Sequence, residues 1–305
     1  MNLVAGTVEL QSPTVEGVAR RLSREPTVIF GVAVLALIGL MALAAPWLTR
    51  FDPAAINPVF RNKATGAVEV VRTDDGAKAE LHHWMGTDSL GRDIAARVVY
   101  GARASLIVGI SVAVLAIAIG LAIGLATGYL RWLDGLVMRV MDGLMAIPAI
   151  LLAIALVSLS SAGLAAVIVA IVVPEVPRVV RLVRSVVLSV REEPYVEAAI
   201  SVGTPTLPLL LRHILPNTLP PLIVQATYIC AFAILIEAIL SFLGVGIPPE
   251  TPTWGNIMAE GRTLFRVYPH NVFYPGIFLA LTVLAVNLLG DGLRDTLDPR
   301  MRKRL

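Results

Sequence analysis

The chain is short of nearly every side chain that enzymes use for chemistry. Of its 305 residues one is cysteine, three are lysine and four are histidine, and charged residues make up 15%, against roughly 25% in a soluble globular domain. The single thiol, Cys230, excludes an intrachain disulfide and a thiolate metal site. It lies in an apolar run and is read as a packing residue, because a reactive thiol needs exposure and a lowered pKa. Lys63, Lys78 and Lys303 are followed by Ala64, Ala79 and Arg304, so no Lys-Ser or Lys-Thr pair closes a phosphate-cradling loop. His82, His83, His213 and His270 show no metal-ligand spacing, and the adjacent His82 and His83 read as a solvated loop pair. No nucleophile elbow or acid–base pair stands out. The expectation is a chain without catalytic residues, resident metal or cofactor. A net charge of +3, spread over both ends, gives no nucleic-acid signal.

What is abundant is apolar surface: 56% of residues, with a mean hydropathy of +0.78. No long stretch has ordinary globular composition, so the fold class expected is an all-α integral membrane protein embedded in lipid. Runs of roughly 20 residues with few charges predict six transmembrane helices. Four are plain: Val28–Leu48, Leu106–Gly128, Leu222–Leu243 and Pro275–Gly290. Each must be helical, because lipid offers no partner to the backbone. The first is preceded by Arg20, Arg21 and Arg24 and ends near Ala42-Leu43-Ala44, which looks like a signal peptide. Its length exceeds the ~7–15 residues of a signal core, so it is read as a retained span.

The middle is tighter. Gly143 to Pro174 is uncharged but too short for two spans and a turn. With Ser158 to Gly163 as the hairpin, two helices fit if they reach back to about Gly135 and forward to about Val183. That places Asp142 and Glu175 near one membrane face. The divisions expected are a tail at 1–27, the first span at 28–48, an outer loop at 49–103, the main transmembrane domain at 104–297 with an inward loop at 184–220, and a basic tail at 298–305. Orientation follows Lys/Arg placement. With the N-terminus inside, 15 of the 25 basic residues fall on the cytoplasmic side, including Arg131, Arg139, Arg178, Arg181, Arg184, Arg191 and the tail Arg300, Arg302, Lys303 and Arg304. Arg92, Arg97 and Arg103 oppose it. The location expected is the cytoplasmic (inner) membrane, multi-pass, with both termini cytoplasmic.

The inward loop reads Glu192-Glu193-Pro194-Tyr195-Val196-Glu197-Ala198-Ala199-Ile200-Ser201-Val202-Gly203, then Pro205 and Pro208, then Arg212-His213-Ile214-Leu215-Pro216-Asn217. Pro194 suits a first helical turn and Gly203 a helix end. Glu193, Glu197, Ala198 and Ala199 give a short helix with one smooth face, where a partner's backbone can come close and a carboxylate can anchor it. Residue types alone fit an ordinary amphipathic loop helix as well as a lever for an attached motor.

Glu197-Ala198-Ala199, Gly203 and Ile214-Leu215-Pro216 resemble the coupling-loop signature of ATP-binding-cassette importer permeases. Three further stretches are similar to the C-type permeases of dipeptide, oligopeptide and nickel importers: Gly86 to Asp93 with Tyr100 to Arg103, Glu237 to Gly244 with Pro252 to Asn256, and Asn287 to Asp295 with Leu297 to Arg300. The likeness runs from about residue 82 to 304. It implies a type I importer core with an extra N-terminal span, and a peptide-importing permease subunit. The implied partners are a homologous B-type permease, two ABC ATPase subunits (or one fused ATPase) holding ATP and Mg, and an extracytoplasmic substrate-binding protein. Coupling would fall to Glu197, Ala198, Ala199, Gly203, Ile214, Leu215 and Pro216. The charged stretch from Phe60 to Leu81 departs from the family pattern and is read as a surface excursion, with contact to the binding protein as the alternative.

A charge inside a span is costly and faces protein or water. Glu237 is expected at the interface with the partner permease, or else in the pathway. Asp142 and Glu175 are expected to pair with Arg139 and Arg178. Gly120 and Gly124 form a Gly-x-x-x-Gly pair that fits close packing, including against a mate. The competing solutes are nickel or another small solute. The competing classes are an ion-gradient secondary transporter and a membrane scaffold that moves nothing.

Overall fold

The computed structural model describes residues 22, 24–72, 78–160 and 163–297. The N-terminal tail with Arg20 and Arg21, Asp74 and Asp75 of the outer stretch, Ser161 and Ala162 of the hairpin, and the basic tail 298–305 lie outside the described residues. The elements are α1 (Pro26–Leu43), β1 (Ala67–Arg72), β2 (Lys78–His83), α2 (Ile94–Tyr129), α3 (Arg131–Ala146), α4 (Ala149–Ser158), α5 (Leu164–Val190), α6 (Pro194–Ser201), α7 (Thr206–Phe242), α8 (Trp254–Gly261) and α9 (His270–Leu297).

Among the described residues four helices, α1, α2, α7 and α9, are long and apolar enough to cross a membrane, and a fifth crossing follows if α3 and α4 count together. The six expected spans are therefore not all of one kind. The third is broken, since α3 and α4 meet at 90°. Pro148 is the cause: the residue before a proline is pushed out of the helical region, and Ile147 is extended at φ −90°, ψ 128°. The fourth, α5, has length enough but carries Glu175, Arg178, Arg181 and Arg184. The second begins twelve residues before Leu106, because Asp93 caps it by accepting a hydrogen bond from the Ala96 N–H at 2.6 Å.

α2 is the hub. Its Val108, Val112 and Ala116 share one core with Val179, Val180, Val183 and Val187 of α5. Every fourth residue of α2 along this seam is glycine. A Cβ at Gly120, Gly124 or Gly128 would lie 2.5–2.6 Å from the Cβ of Val179, Val183 or Val187 respectively. The Gly-x-x-x-Gly pair is thus spent inside the subunit, letting two parallel helices approach, rather than against a mate. Replacing Gly124 with leucine should cost about 1–3 kcal/mol by overpacking, seen as a lower melting temperature in detergent. Gly135→Ala, where nothing stands within 4 Å, should leave that temperature unchanged or raise it.

Helix directions alternate. Ser105 of α2 donates to Glu237 of α7, and Gly109 faces Ile234, so those two helices run antiparallel. Val28 and Gly31 of α1 meet Gly292 and Leu289 of α9 in the same sense. Pro26, Tyr129, Val190 and Leu297 consequently gather at one end of the bundle, with α6. The β-hairpin and α8 close the other end.

At that closed end the charged insertion lies mostly exposed on the surface, and it is anchored there. Its strands pair antiparallel, Glu69 opposite Leu81, and Glu69 accepts a hydrogen bond from Asn57 Nδ2 at 2.7 Å. His83, expected in solvent, is 2% exposed, with Nε2 3.3 Å from Glu69 and Nδ1 2.8 Å from Asp93. Adjacent strand residues face opposite ways, so its neighbour His82 is exposed. Burial pushes the Asp93 carboxyl above its usual range, against the pull of its helix N–H bond and of His83. Arg92 donates to Asp88 at 2.6 Å and pairs with Glu260. Arg97, wholly buried, lies 3.8 Å from Asp88 and 3.5 Å from Glu260. Arg103 donates to the carbonyls of Ala42 and Leu43. These are the three arginines whose placement opposes the expected orientation; Arg92 and Arg97 are neutralised by carboxylates of their own chain.

Candidate coupling site

The short helix α6 stands between α5 and α7 in the chain, at the end of the bundle away from the hairpin. Glu193 is its N-cap residue and Pro194 occupies the first turn, where a missing N–H costs nothing. Val202 ends it, and Gly203 follows at φ +80°, a left-handed conformation that a side chain resists. The Gly203 N–H donates to Ile200 O at 2.9 Å and Thr204 N–H to Ala199 O at 3.1 Å, which satisfies carbonyls left over at the helix end.

The smooth face expected from Ala198 and Ala199 is divided. Val196 and Ala199, three apart and hence on one side, are buried in the main core with Leu209 and Ile214. Glu197, Ala198, Ile200 and Ser201 are exposed, and so are Val202 at 82% and Leu207. The outer face therefore offers one carboxylate among apolar side chains. Asn217 Nδ2 donates to the Tyr195 hydroxyl at 3.0 Å and to His213 O at 2.8 Å, tying α6 to the foot of α7. Of the Ile-Leu-Pro triplet, Ile214 is buried, Leu215 half-buried and Pro216 exposed. Ile214 ends a π-helical stretch, Leu210–Ile214, that lies between Pro208 and Pro216. The expected loop 184–220 thus narrows to 191–205, with helix on both sides.

Val196 was legible as the i, i+3 mate of Ala199, a spacing that predicts a shared face. The Tyr195–Asn217 clamp joins residues 22 positions apart, and no local pattern signals it.

Two of the charged pairs in the bundle cross between helices and one lies within α5. Arg184 of α5 donates twice to Asp134 of α3, its Nη2 at 2.6 Å. Asp142 pairs with Arg181 at 2.5 Å and not with Arg139, because α3 lies across α5. Glu175 pairs with Arg178 at 3.0 Å, as its i, i+3 spacing allows. Glu237 is 0% exposed; it accepts from Ser241 at 2.8 Å and from Ser105 at 3.5 Å. Its carboxylate is thus enclosed between α2 and α7 of its own chain.

Residues 116–303 match the family model for the binding-protein-dependent transport system inner membrane component. The chain belongs to that family. Residues 15–64 match the N-terminal transmembrane domain of oligopeptide transport permease C, so this permease has the extra first span of that branch. Similar proteins include a probable peptide ABC transporter permease of Sinorhizobium fredii, 51% identical over 98% of this chain and 97% of its own. A dipeptide transport system permease of Alkalihalophilus pseudofirmus is 41% identical, and a glutathione transport system permease of Escherichia coli 39%, each over 93% of this chain and 89% of its own. Among solved structures, a chain of the MetNI methionine ABC transporter in an inward-facing conformation aligns with a TM-score of 0.55 at 21% identity. It covers 67% of this permease and 98% of that chain, which places the fold.

Proposed function

We propose that this permease is one of two membrane subunits of an ATP-driven peptide importer, and that α6 receives the stroke of an ATPase. The observation that carries the reading is α6 itself. It presents Glu197 outward while rooting Val196 and Ala199 in the core that α2, α5 and α7 share. The full-length likeness to a peptide permease supports the solute class.

In this reading both termini and α6 are cytoplasmic, the hairpin and α8 face outward, and a binding protein delivers peptide there. Two ATPase subunits, holding the ATP and Mg, dock on this α6 and on its counterpart in the second permease. Closure of the ATPase pair pushes α6. The push passes through Val196 and Ala199 into α5, and the glycine seam forces α2 to follow as one body. Such rigid-body rocking, alternating which face is open, is the expected transport cycle. This chain supplies transmission and a path, with hydrolysis left to its partners.

Deleting the gene and supplying defined dipeptides, oligopeptides or nickel should abolish uptake of peptide, restored by the gene on a plasmid. Loss of nickel uptake with peptide uptake intact would contradict the solute class.

A further inference from the structure

A cavity of about 280 Å³ opens between α5, α7 and α9, lined among others by Glu175, Arg178, Gln225, Tyr228, Phe232 and Asn287. All six fall in the middle third of α5, of the Leu215–Phe242 part of α7, or of α9. Glu175, for example, is eleven residues from Leu164, about 16 Å along the helix. The cavity therefore lies about midway along the three helices, and Glu175, expected near one membrane face, stands well along α5 from either end.

The charges there are unequally hidden. Glu175 is 1% exposed, whereas Arg178 is 44% exposed. The guanidinium is held from two sides, by Glu175 Oε1 at 3.0 Å and by the Phe232 ring at 5.2 Å. Bare arginine inside a membrane is expensive against lipid and is found facing water or protein. One N–H is committed to Glu175, and a guanidinium has five in a rigid fork that matches a carboxylate. Gln225 and Asn287 add neutral hydrogen-bonding groups to the walls.

Resting on the peptide reading above, we propose that Arg178, positioned by Glu175 and Phe232, binds the terminal carboxylate of a peptide in transit. The pairing with Glu175 takes up one N–H of the fork and leaves the others for a carboxylate, with Gln225 and Asn287 as uncharged neighbours.

The test uses the whole transporter, with both permeases, ATPases and binding protein, in proteoliposomes. Uptake of a dipeptide is compared with uptake of its C-terminal amide, and the binding protein's own preference is measured separately. Wild type should favour the free acid about tenfold beyond the binding protein's preference. Arg178→Gln should lose that extra factor, and Arg178→Lys should keep part of it. An unchanged ratio in Arg178→Gln overturns the proposal. If Arg178→Gln moves neither compound, recovery in Arg178→Lys supports the proposal and an equally inactive lysine variant overturns it. A wild-type transporter that hydrolyses ATP but imports neither peptide would instead sink the peptide reading.

Discussion

Glu197→Lys should leave the permease folded and cut ATP-driven uptake by about 30–100-fold. The first half follows from exposure: Glu197 makes no ion pair within the described residues and lies on the outer face of α6. The second follows from docking. Truncating one member of a buried, hydrogen-bonded charge pair at an interface costs about 2–5 kcal/mol, and reversing its sign does at least as much. At about 1.4 kcal/mol per tenfold, the lower part of that range gives the stated loss. Uptake and copurification of the ATPase should fall together, with the melting temperature of the isolated permease unchanged. Glu192→Lys, one residue before the cap, should do far less. Equal effects at the two positions would mean that the site is general negative charge and not α6.

Arg92→Met is expected to be the most damaging single change at the opposite end. Arg92 is the joint of the outer cluster: it pairs with Asp88, itself buried, and with Glu260. Without it Asp88 keeps Arg97 at 3.8 Å and its bonds from the Leu90 and Arg92 backbone N–H groups. Removing one partner of a buried pair costs about 3–5 kcal/mol, because a charge is left behind. The expected readout is a lower melting temperature and poor membrane accumulation. The double variant Arg92→Met with Asp88→Asn should recover part of the loss, since it removes the stranded charge.

How legible was this in the residues? Long apolar runs and their helical nature were, because lipid leaves a backbone no other choice. The ends of α6 were, because Pro194 and Gly203 act through local backbone geometry. The break in the third span was not foreseen, although Pro148 was in plain view; composition counts apolar residues and does not weigh one missing N–H. The enclosure of Glu237 was not legible, because it depends on Ser105, 132 positions away. His83 was assigned to solvent for the same reason: its partners Glu69 and Asp93 become neighbours when the hairpin folds back. Local chemistry speaks within a few residues, whereas burial is decided by chain segments far apart.

The most direct measurement is thiol accessibility at α6. In a Cys230→Ala background, Ser201→Cys puts one reactive group on its exposed face. A membrane-impermeant maleimide added to intact spheroplasts should leave that cysteine unmodified. It should react fully once the membrane is opened, and more slowly when the ATPase subunits are bound. Modification in intact spheroplasts would put α6 outside, beyond reach of any cytosolic motor, and would contradict the account.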